Sequence, residues 1–579
     1  MKKRIIAMLL LVVMIVSACL TLTSCGGKED DGKLHISFYH TMGENLRKVL
    51  NKYVAQFEAL YPEYKIDHEQ IGSYDDVRDQ IATEITANKQ PNIAYCYPDH
   101  VALYNLALAV KTLDGYIDST EVVTRADGST EILGLTEEQK ADFIQAYYEE
   151  GRQFGDGLMY TMPFSKSTEV LYYNKTYFDV AQMIYNSDIE LDINGKPTPV
   201  YETDAEGNVL KDDKGKAIIA YEKDANGDFI LDEAGNKIAK TNPNPNKGNE
   251  IYNIFVPTTW DEMEVICARI IAIENDRLPA NIKNAEGNKV VQDEFGYDIY
   301  TDKDGKKLAQ VIPLGYDSES NWFITMCEQM GLPYTSATGE KFLFNTQDHY
   351  DFVSEFRDWY LKGYVTTQEI HGAYTSSLFT AKTGIKSYMS IGSSAGATHQ
   401  RPALGTDGKY PFDVGITPIP QFDKDNPKVI SQGPSVCIFE ASQEEMKASW
   451  LFIKFLCTNP NFQAEFSRES GYVPVIKSVK SVVFAEASEA NGFKEDSYSR
   501  FLEEANGGDN IAALSAKVCL EQENYYYTSP AFNGSSKARD EVGKLIQAVF
   551  KLSPETADVP AEIKKLFDKA ISECKYHAN

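Results

Sequence analysis

The first part of the chain alternates between two spacings of apolar residues. A short apolar run at 34–39 predicts a strand, and apolar residues at helical intervals over 44–60 predict a helix after it. The same order follows with a strand at 64–68, a helix at 74–87 and a strand at 92–97. Alternating strands and helices indicate a mainly parallel sheet, with ligand-binding loops after the carboxyl ends of its strands. The predicted loops are residues 40–43, 72–74 and 97–99.

The N-terminal segment has a pattern of its own. Three cationic residues at 2–4 precede an apolar run from Ile5 to Ile15, which is too short to cross a bilayer. The run leads to Leu22-Thr23-Ser24-Cys25, and a polar stretch with several glycines follows. We expect residues 1–24 to be a signal peptide and residues 25–32 a flexible tether. An ordinary secretory peptide with an incidental cysteine is the alternative.

The residues before Cys25 resemble the lipobox of bacterial lipoproteins. The resemblance implies that cleavage leaves Cys25 as an acylated N-terminus, so that its palmitate and related chains hold the protein on the membrane. Val16-Ser17-Ala18-Cys19 is a looser match, and no polar tether follows it. The expected location is the extracellular face of the cell membrane, with a lipid anchor.

Residues 201–240 contain a twenty-residue unit that occurs twice. Each unit carries glycine-containing acidic turns between strand-forming residues, which is typical of β-hairpins. A related stretch follows at 284–308, and we predict β-hairpin insertions at 190–250 and 284–310. The alternating oxygen-bearing residues from Asp224 to Asp228, and those after Asp302, also suit calcium, but neither completes an EF-hand loop. Solvated turns are the favoured interpretation.

Composition narrows the class of function. More than 540 residues remain after the leader, which is enough for two lobes of ordinary domain size. The formal charge of −28 argues against nucleic acid and against anionic lipid heads as partners. Seven scattered cysteines follow Cys25 without CxxC spacing or nearby histidines, so we expect buried free thiols, with one bridge left open, rather than a disulfide framework or metal site. No cofactor is expected.

Four strings in order along the chain carry a family resemblance. They are FYHTMG at 38–43, PFSKSTEVLYYNK at 163–175, PTTWDE at 257–262 and GYVPV at 471–475. The chain resembles the extracellular solute-binding proteins of bacterial ABC importers that take up sugars and glycerol phosphates. The resemblance implies an α/β, two-lobed periplasmic-binding-protein-like fold with a hinge, a membrane permease as partner, a monomeric state and no enzymatic activity. It also implies a first lobe of 33–145 with 412–460, and a second lobe of 146–411 with 461–579.

The branch that binds glycerol 3-phosphate or glycerophosphodiesters implies ligand contacts at particular positions. Matched position by position, they fall on Tyr74, Ser167, Ser393 or Ser394, Gly433 and Tyr472, with Tyr39 and His40 in the first strand and loop. Hydroxyls, a glycine backbone and tyrosine rings suit a polyol. Trp322 is added as a stacking platform because it stands where a loop enters a helix. For several of these residues a turn or core role is the alternative.

Two positions depart from that branch. Pro98 replaces a glutamate, with Asp99 as a substitute one residue on, and Ala531 stands where the branch has an arginine for the phosphate, although Lys537 or Arg539 would serve if the alignment shifts. A phosphate without a bidentate cation loses its strongest contact. A carbohydrate ligand is therefore the main prediction, and a polyol phosphate the alternative. A surface adhesin and a secreted glycosidase are more distant alternatives.

Overall fold

A computed structural model describes residues 31–277, 291–292, 298–299, 310–480 and 510–578. The predicted signal peptide, Cys25, most of the tether and most of the second insertion lie outside the described residues. The strands are β1 Leu34–His40, β2 Tyr64–Gln70, β3 Ile93–Cys96, β4 Val122–Thr124, β5 Thr130–Ile132, β6 Met162–Pro163, β7 Glu169–Asn174, β8 Val291–Gln292, β9 Asp298–Ile299, β10 Leu314–Tyr316, β11 Val365–Thr367, β12 Met389–Ser393, β13 Val414–Pro418, β14 Val429–Ile430, β15 Ser435–Ile438 and β16 Tyr526–Tyr527.

The helices are distributed along the whole described chain. They are α1 Glu44–Leu60, α2 Tyr74–Ile85, α3 Pro98–Tyr104, α4 Asp114–Ile117, α5 Glu137–Asp142, α6 Gln145–Glu150, α7 Lys175–Asn186, α8 Trp260–Arg277, α9 Glu319–Met330, α10 Gln347–Leu361, α11 Gln368–His371, α12 Ser376–Phe379, α13 Gln443–Cys457, α14 Pro460–Ser470, α15 Ile511–Leu520, α16 Ser535–Phe550 and α17 Val559–Ala578. Within the described ranges, no helix is both long and apolar enough to cross a membrane.

The first lobe is built on a five-stranded sheet in the order β2-β1-β3-β15-β6. β1 runs parallel to β2 and β3, as the strand–helix alternation predicts, and β15 is antiparallel to β3 and β6. Helix α1 buries one face in the core of this lobe, where the ring of Phe57 lies 5.1 Å from that of Phe452 on α13. The predicted strands and helices of residues 34–97 are thus confirmed.

The second lobe is built on another five-stranded sheet, in the order β11-β10-β12-β7-β13. β10 runs parallel to β11 and β12, and β7 is antiparallel to β12 and β13. In β7 every side chain except that of Tyr173 is buried, which explains its nearly continuous apolar sequence. Trp322, Phe356 and Phe550 form an aromatic cluster in the core of this lobe.

Backbone segments meet where the chain passes from one sheet to the other. We call residues 164–168, together with their backbone partners Gln432 and Val473, the crossover. Residues 164–168 join β6 to β7, and their amides pair with two other segments. Lys166 exchanges both backbone hydrogen bonds with Val473, at 3.1 and 2.5 Å, and Ser167 exchanges both with Gln432, at 2.8 Å each. Three loop segments are therefore held together between the two sheets by main-chain hydrogen bonds.

Sheet membership differs from the expected lobe boundaries at two places. β6 belongs to the first sheet, although residues from 146 onward were expected in the second lobe, and β13 belongs to the second sheet, although 412–460 was expected in the first. Helix α14 packs on α1 of the first lobe, against the expectation for residues after 460. The chain changes from the first sheet to the second at 164–168, after β6, and returns to the first sheet between β13 and β15.

The first insertion folds as a narrow ribbon of residues 189–243. Isolated antiparallel bridges such as Tyr201 with Ile219 replace the regular strands of ordinary hairpins. Five turns recur in it, and in each an aspartate side chain caps the backbone while the glycine three residues later has positive φ; the aspartates are Asp192, Asp204, Asp212, Asp224 and Asp232. The Oδ1 atom of Asp224 accepts from the amides of Asn226 and Asp228, so its hydrogen-bonding capacity is used within the turn. β8 and β9 form a short antiparallel pair within the second predicted insertion.

The cysteines of the described residues are buried free thiols. Cys96 and Cys437 lie on the neighbouring strands β3 and β15, and Cys267, Cys327, Cys457, Cys519 and Cys574 lie on helices. Burial raises the pKa of Cys96 and Cys267, because a thiolate is poorly solvated in the core. The expected burial of these thiols is confirmed, and the raised pKa of Cys96 and Cys267 makes those two poor nucleophiles and metal ligands.

Candidate functional site

A cavity of about 940 Å³ opens between the two lobes, next to the crossover. The first lobe contributes residues from the start of α2, from the end of β3 and from the turn after α14. The second lobe contributes the loops after β10 and β12, together with α16. This position beyond the carboxyl ends of parallel strands is where open α/β sheets usually hold ligands. The volume is in the range of ordinary small-molecule sites.

The wall formed by the first lobe is aromatic. The hydroxyl groups of Tyr74 and Tyr472 are hydrogen bonded at 3.0 Å, and the ring centroid of Tyr97 lies 4.8 Å from that of Tyr74. Tyr74 starts helix α2, which is fixed by a capping box in which Ser73 and Asp76 bond each other's backbone amides. Desolvation raises the pKa of Tyr74 well above its ordinary value, so this hydroxyl stays protonated and can donate.

The wall formed by the second lobe is polar and rich in carboxylates. Asp317 follows β10, Glu319 and Asn321 lie in the first turn of α9, and Gln400 lies in the 3₁₀ helix Ser394–Gln400 that follows β12. Ser318 caps α9 by accepting a hydrogen bond from the amide of Asn321 at 3.2 Å. These elements place side-chain oxygens opposite the tyrosines. The cleft can therefore stack a ring on one side and accept hydrogen bonds on the other.

Glu169, the first residue of β7, lies at the floor of the cleft. It is almost completely buried and accepts a hydrogen bond of 2.7 Å from the hydroxyl of Tyr316. Burial raises its pKa from 4.5 to about 7, against the opposing effects of the bonds from Tyr316 and Asn321. A carboxyl group with this pKa is present in both its protonated and its ionised form near neutral pH. Its acid form can donate to a ligand, and its ionised form can only accept.

The structure brings four of the predicted contact residues to the cavity wall: Tyr74, Ser167, Ser393 and Tyr472. Ser394 is fully buried behind the wall, where its amide donates to the carbonyl oxygen of Thr168 at 2.8 Å. Gly433 adjoins the crossover with a φ of +85°, and an added Cβ would stand 2.7 Å from the carbonyl oxygen of Ser165. Glycine is needed at this position because the backbone of Ser165 and Lys166 passes close to it.

Three predicted residues lie away from the cavity. Trp322 is 1% exposed and stacks on Tyr316 at 4.9 Å, because its face of α9 packs on the second sheet and not on the cleft. His40 is fully buried, with Nε2 3.0 Å from Nδ1 of His68, and burial lowers its pKa to about 3. The hydroxyl of Tyr39 reaches Glu84 at 3.5 Å. The structure thus places Trp322 and His40 in the cores of the lobes and Tyr39 against α2.

A smaller cavity of about 120 Å³ adjoins the cleft beside the crossover. Asp99 and Ala531 line it, and Arg539 lines both cavities. Arg539 donates to the Oδ1 atom of Asn321, and no carboxylate among the described residues forms an ion pair with it. Lys537, by contrast, is bound to Glu541 at 2.8 Å. Of the two cations that the sequence offered in place of Ala531, Arg539 is the one at the site.

Sequence reasoning missed Glu169, Asp317, Gln400 and Asn321. Asp317 and Asn321 stand in the string GYDSESNW, where a strand ends and a capped helix begins, and that signal was read only for Trp322. Glu169 opens an apolar strand, and its place at the strand start was the available cue. Gln400 had no local signal, since its position depends on how β12 and the following 3₁₀ helix turn toward the cleft.

Two α/β lobes joined by a crossover, with a polar and aromatic cleft between them, define a solute-binding protein of the two-lobed class. The chain belongs to the bacterial extracellular solute-binding protein family, whose sequence model matches residues 52–492. This confirms the family resemblance and the expected fold. The family binds solutes and is not a family of enzymes.

Three similar proteins share little sequence with the chain. One curated protein, the sn-glycerol-3-phosphate-binding periplasmic protein UgpB of Shigella dysenteriae serotype 1, is 27% identical over 146 residues, which are 25% of this chain and 30% of that protein. The match thus spans less than a third of that relative. Similar solved structures include UgpB from Mycobacterium tuberculosis in complex with glycerophosphocholine (TM-score 0.56, 15% identity, 94% and 99% of the two chains covered). The sugar-binding protein MalE from Xanthomonas citri is similar as well (TM-score 0.56, 14% identity, 94% and 98% covered).

Proposed function

We propose that the protein captures a carbohydrate, a mono- or oligosaccharide, between its two lobes and delivers it to the permease of an ABC importer. The observation that carries the proposal is the two-faced cleft: Tyr74, Tyr97 and Tyr472 on one wall, and Asp317, Glu319 and Gln400 on the other. Sugar rings stack on aromatic faces while each hydroxyl needs a directional partner. A cleft with one stacking wall and one accepting wall meets both requirements.

A polyol phosphate is the second candidate, and one observation favours it. Arg539 presents a guanidinium group at the junction of the two cavities without a carboxylate partner among the described residues. Guanidinium groups bind phosphate in a bidentate manner. The carboxylates around it weigh against a dianionic ligand, and for this reason we place the phosphate second.

We infer that the protein acts as a monomer on the extracellular face of the cell membrane, held by acyl chains on Cys25. The charged N-terminal segment, its short apolar run and the small residues before Cys25 support the location and the anchor, and the monomeric state is taken from the family resemblance. Mass spectrometry of the membrane-extracted protein tests it: the N-terminal peptide should begin at Cys25 and carry acyl chains. A Cys25→Ser variant should appear in the medium, and its retention on the membrane would contradict the anchor.

The ligand is tested by the melting temperature of the purified protein against sugars, glycerol 3-phosphate and glycerophosphodiesters. A ligand at one hundred times its Kd stabilises the native state by about 2.7 kcal/mol, which corresponds to about 5 °C when a lobe of roughly 250 residues unfolds as one unit. A rise with sugars that Tyr472→Ala abolishes supports the proposal; Tyr576→Ala, at a side chain that is 78% exposed, is the control. A melting temperature that rises with phosphates only, and no longer rises in Arg539→Ala, would establish the second candidate. A melting temperature that no ligand in the panel raises would refute both candidates.

A further inference from the structure

Asp317 holds one carboxylate oxygen free at the cleft. Its Oδ1 atom accepts two hydrogen bonds from Thr375, from the backbone amide and from the hydroxyl group, each at 2.7 Å. These bonds fix the plane of the carboxylate and leave Oδ2 pointing over Gly392, where an added Cβ would stand 2.6 Å from it. Within the described residues, Oδ2 has no hydrogen-bond donor. Gly392 therefore leaves room for this oxygen.

Gln400 adds a second free acceptor next to Asp317. Its Nε2 atom lies 3.4 Å from the same Cβ position of Gly392, and the residue is only 2% exposed although it lines the cavity. Its Oε1 atom has no hydrogen-bond partner in the part of the chain that the structure describes. A buried amide oxygen without a donor costs free energy, and a ligand that donates to it removes that cost.

The charges around these acceptors are mostly negative. Five carboxyl groups line the cavity, those of Glu169, Asp317, Glu319, Glu369 and Asp540, of which Glu169, with its pKa of about 7, carries only part of a charge near neutral pH; two cations, Arg539 and Lys544, line it as well. Lys544 is paired with the carboxylate of Glu541 at 2.9 Å, whereas Arg539 donates to the neutral amide of Asn321 and keeps its charge. The wall near Asp317 therefore offers acceptors and negative potential to a ligand.

We propose that the second-lobe wall recognises a protonated amine on the sugar, with Asp317 and Gln400 as its acceptors. The ligand class is an amino sugar or an oligosaccharide that contains one. An ammonium group presents three donors and no acceptor, which matches two free acceptors and a net negative wall better than a hydroxyl group does. This inference rests on the proposed carbohydrate function and narrows it.

The test compares matched sugars by isothermal titration calorimetry on the purified full-length protein. Glucose, galactose and mannose are each compared with the 2-amino and N-acetylamino forms, and cello-oligosaccharides with chitosan and chitin oligomers of equal length. We expect one amine member to bind about tenfold tighter than its hydroxyl and N-acetyl counterparts. The advantage should shrink with added salt, because the attraction is between charges.

Variants of similar side-chain size test which of the two residues binds the amine. Asp317→Asn keeps the acceptor for Thr375 and should lower the affinity for the amine about tenfold, with a smaller loss for the hydroxyl counterpart; Gln400→Leu should lower both. Asp127→Asn, in the exposed turn before β5, is the control for the change in charge. Neutral sugars that bind as tightly as their amine forms would refute this inference alone. If no sugar in the panel binds, both this inference and the proposed function are refuted.

Discussion

The buried ion pair between Lys166 and Glu150 provides the sharpest test of what holds the crossover together. Lys166 is fully buried, and its ammonium group contacts Glu150, the hydroxyl of Ser435 at 3.0 Å and the carbonyl oxygen of Gly433 at 3.3 Å. Ser435 also donates to Glu150 at 3.3 Å. The same lysine exchanges backbone hydrogen bonds with Val473. One side chain thus links α6, the start of β15 and the crossover.

Removing one partner leaves an uncompensated charge in the core. Lys166→Met should cost about 3–5 kcal/mol of unfolding free energy, the usual penalty for breaking a buried pair. For lobes of this size that corresponds to a fall in melting temperature of about 10 °C. Glu150→Gln should cost a similar amount, because the ammonium group then lacks its counter-ion. The double variant should recover most of the loss, since no charge remains buried.

Urea unfolding monitored by tryptophan fluorescence, combined in a double-mutant cycle, measures the coupling. Lys517→Met is the matched control, because Lys517 forms an exposed pair with Glu521 at 2.8 Å whose removal should cost less than about 1 kcal/mol. Losses in the two single variants that simply add in the double variant would refute the reasoning. Such a result would mean that the two groups are stabilised separately by Ser435 and Gly433.

Two further predictions concern the crossover and the cleft floor. Gly433→Ala should destabilise the protein by about 2 kcal/mol or more in chemical denaturation, because the φ of +85° disfavours a side chain and the new Cβ would meet the carbonyl oxygen of Ser165. Gly128→Ala is the control, because Gly128 has a φ of +81° and no atom within 4 Å, so that its loss measures the backbone contribution alone. The raised pKa of Glu169, about 7 against 4.5, means that its stabilising contribution is complete below about pH 4.5 and is lost as the pH rises through about 7. At about 1.4 kcal/mol per unit the total loss is about 3 to 4 kcal/mol, so Glu169→Gln should flatten the decline of stability between pH 5 and 8, and an unchanged pH profile would contradict the assignment.

The fold was predictable to the extent that its elements carry periodic patterns. The alternation of strand and helix over residues 34–97 needs only local spacing, and the structure reproduces it with β1, α1, β2, α2 and β3. The lobe boundaries were harder, because a strand such as β13 has the same composition whichever sheet it joins. Its pairing with β7 is decided by packing between segments 240 residues apart.

The site residues, too, were predictable only where the sequence carries a recognisable pattern. Tyr74, Ser167, Ser393 and Tyr472 came from motifs that match a family, and all four line the cleft. Trp322 illustrates the opposite case: a helix start offers two faces, and the sequence does not say which one meets the sheet. Helix α9 presents the indole of Trp322 to the aromatic core and its acidic first turn to the cavity, so the cavity-lining residues are the polar neighbours of the predicted one.

The ribbon at 189–243 shows why a long insertion can leave the cleft undisturbed. Its two ends are paired with each other, since Ile189 bridges Pro243 and the amide of Glu190 donates to the carbonyl oxygen of Asn242 at 2.9 Å. The chain therefore leaves the second lobe after α7 and returns to the same place. Inside the ribbon, the repeated turns use hydrogen bonds between near neighbours, which form without contacts to either sheet. Because the two ends of the ribbon meet at one place after α7, the insertion extends from the second lobe without separating the strands that border the cleft.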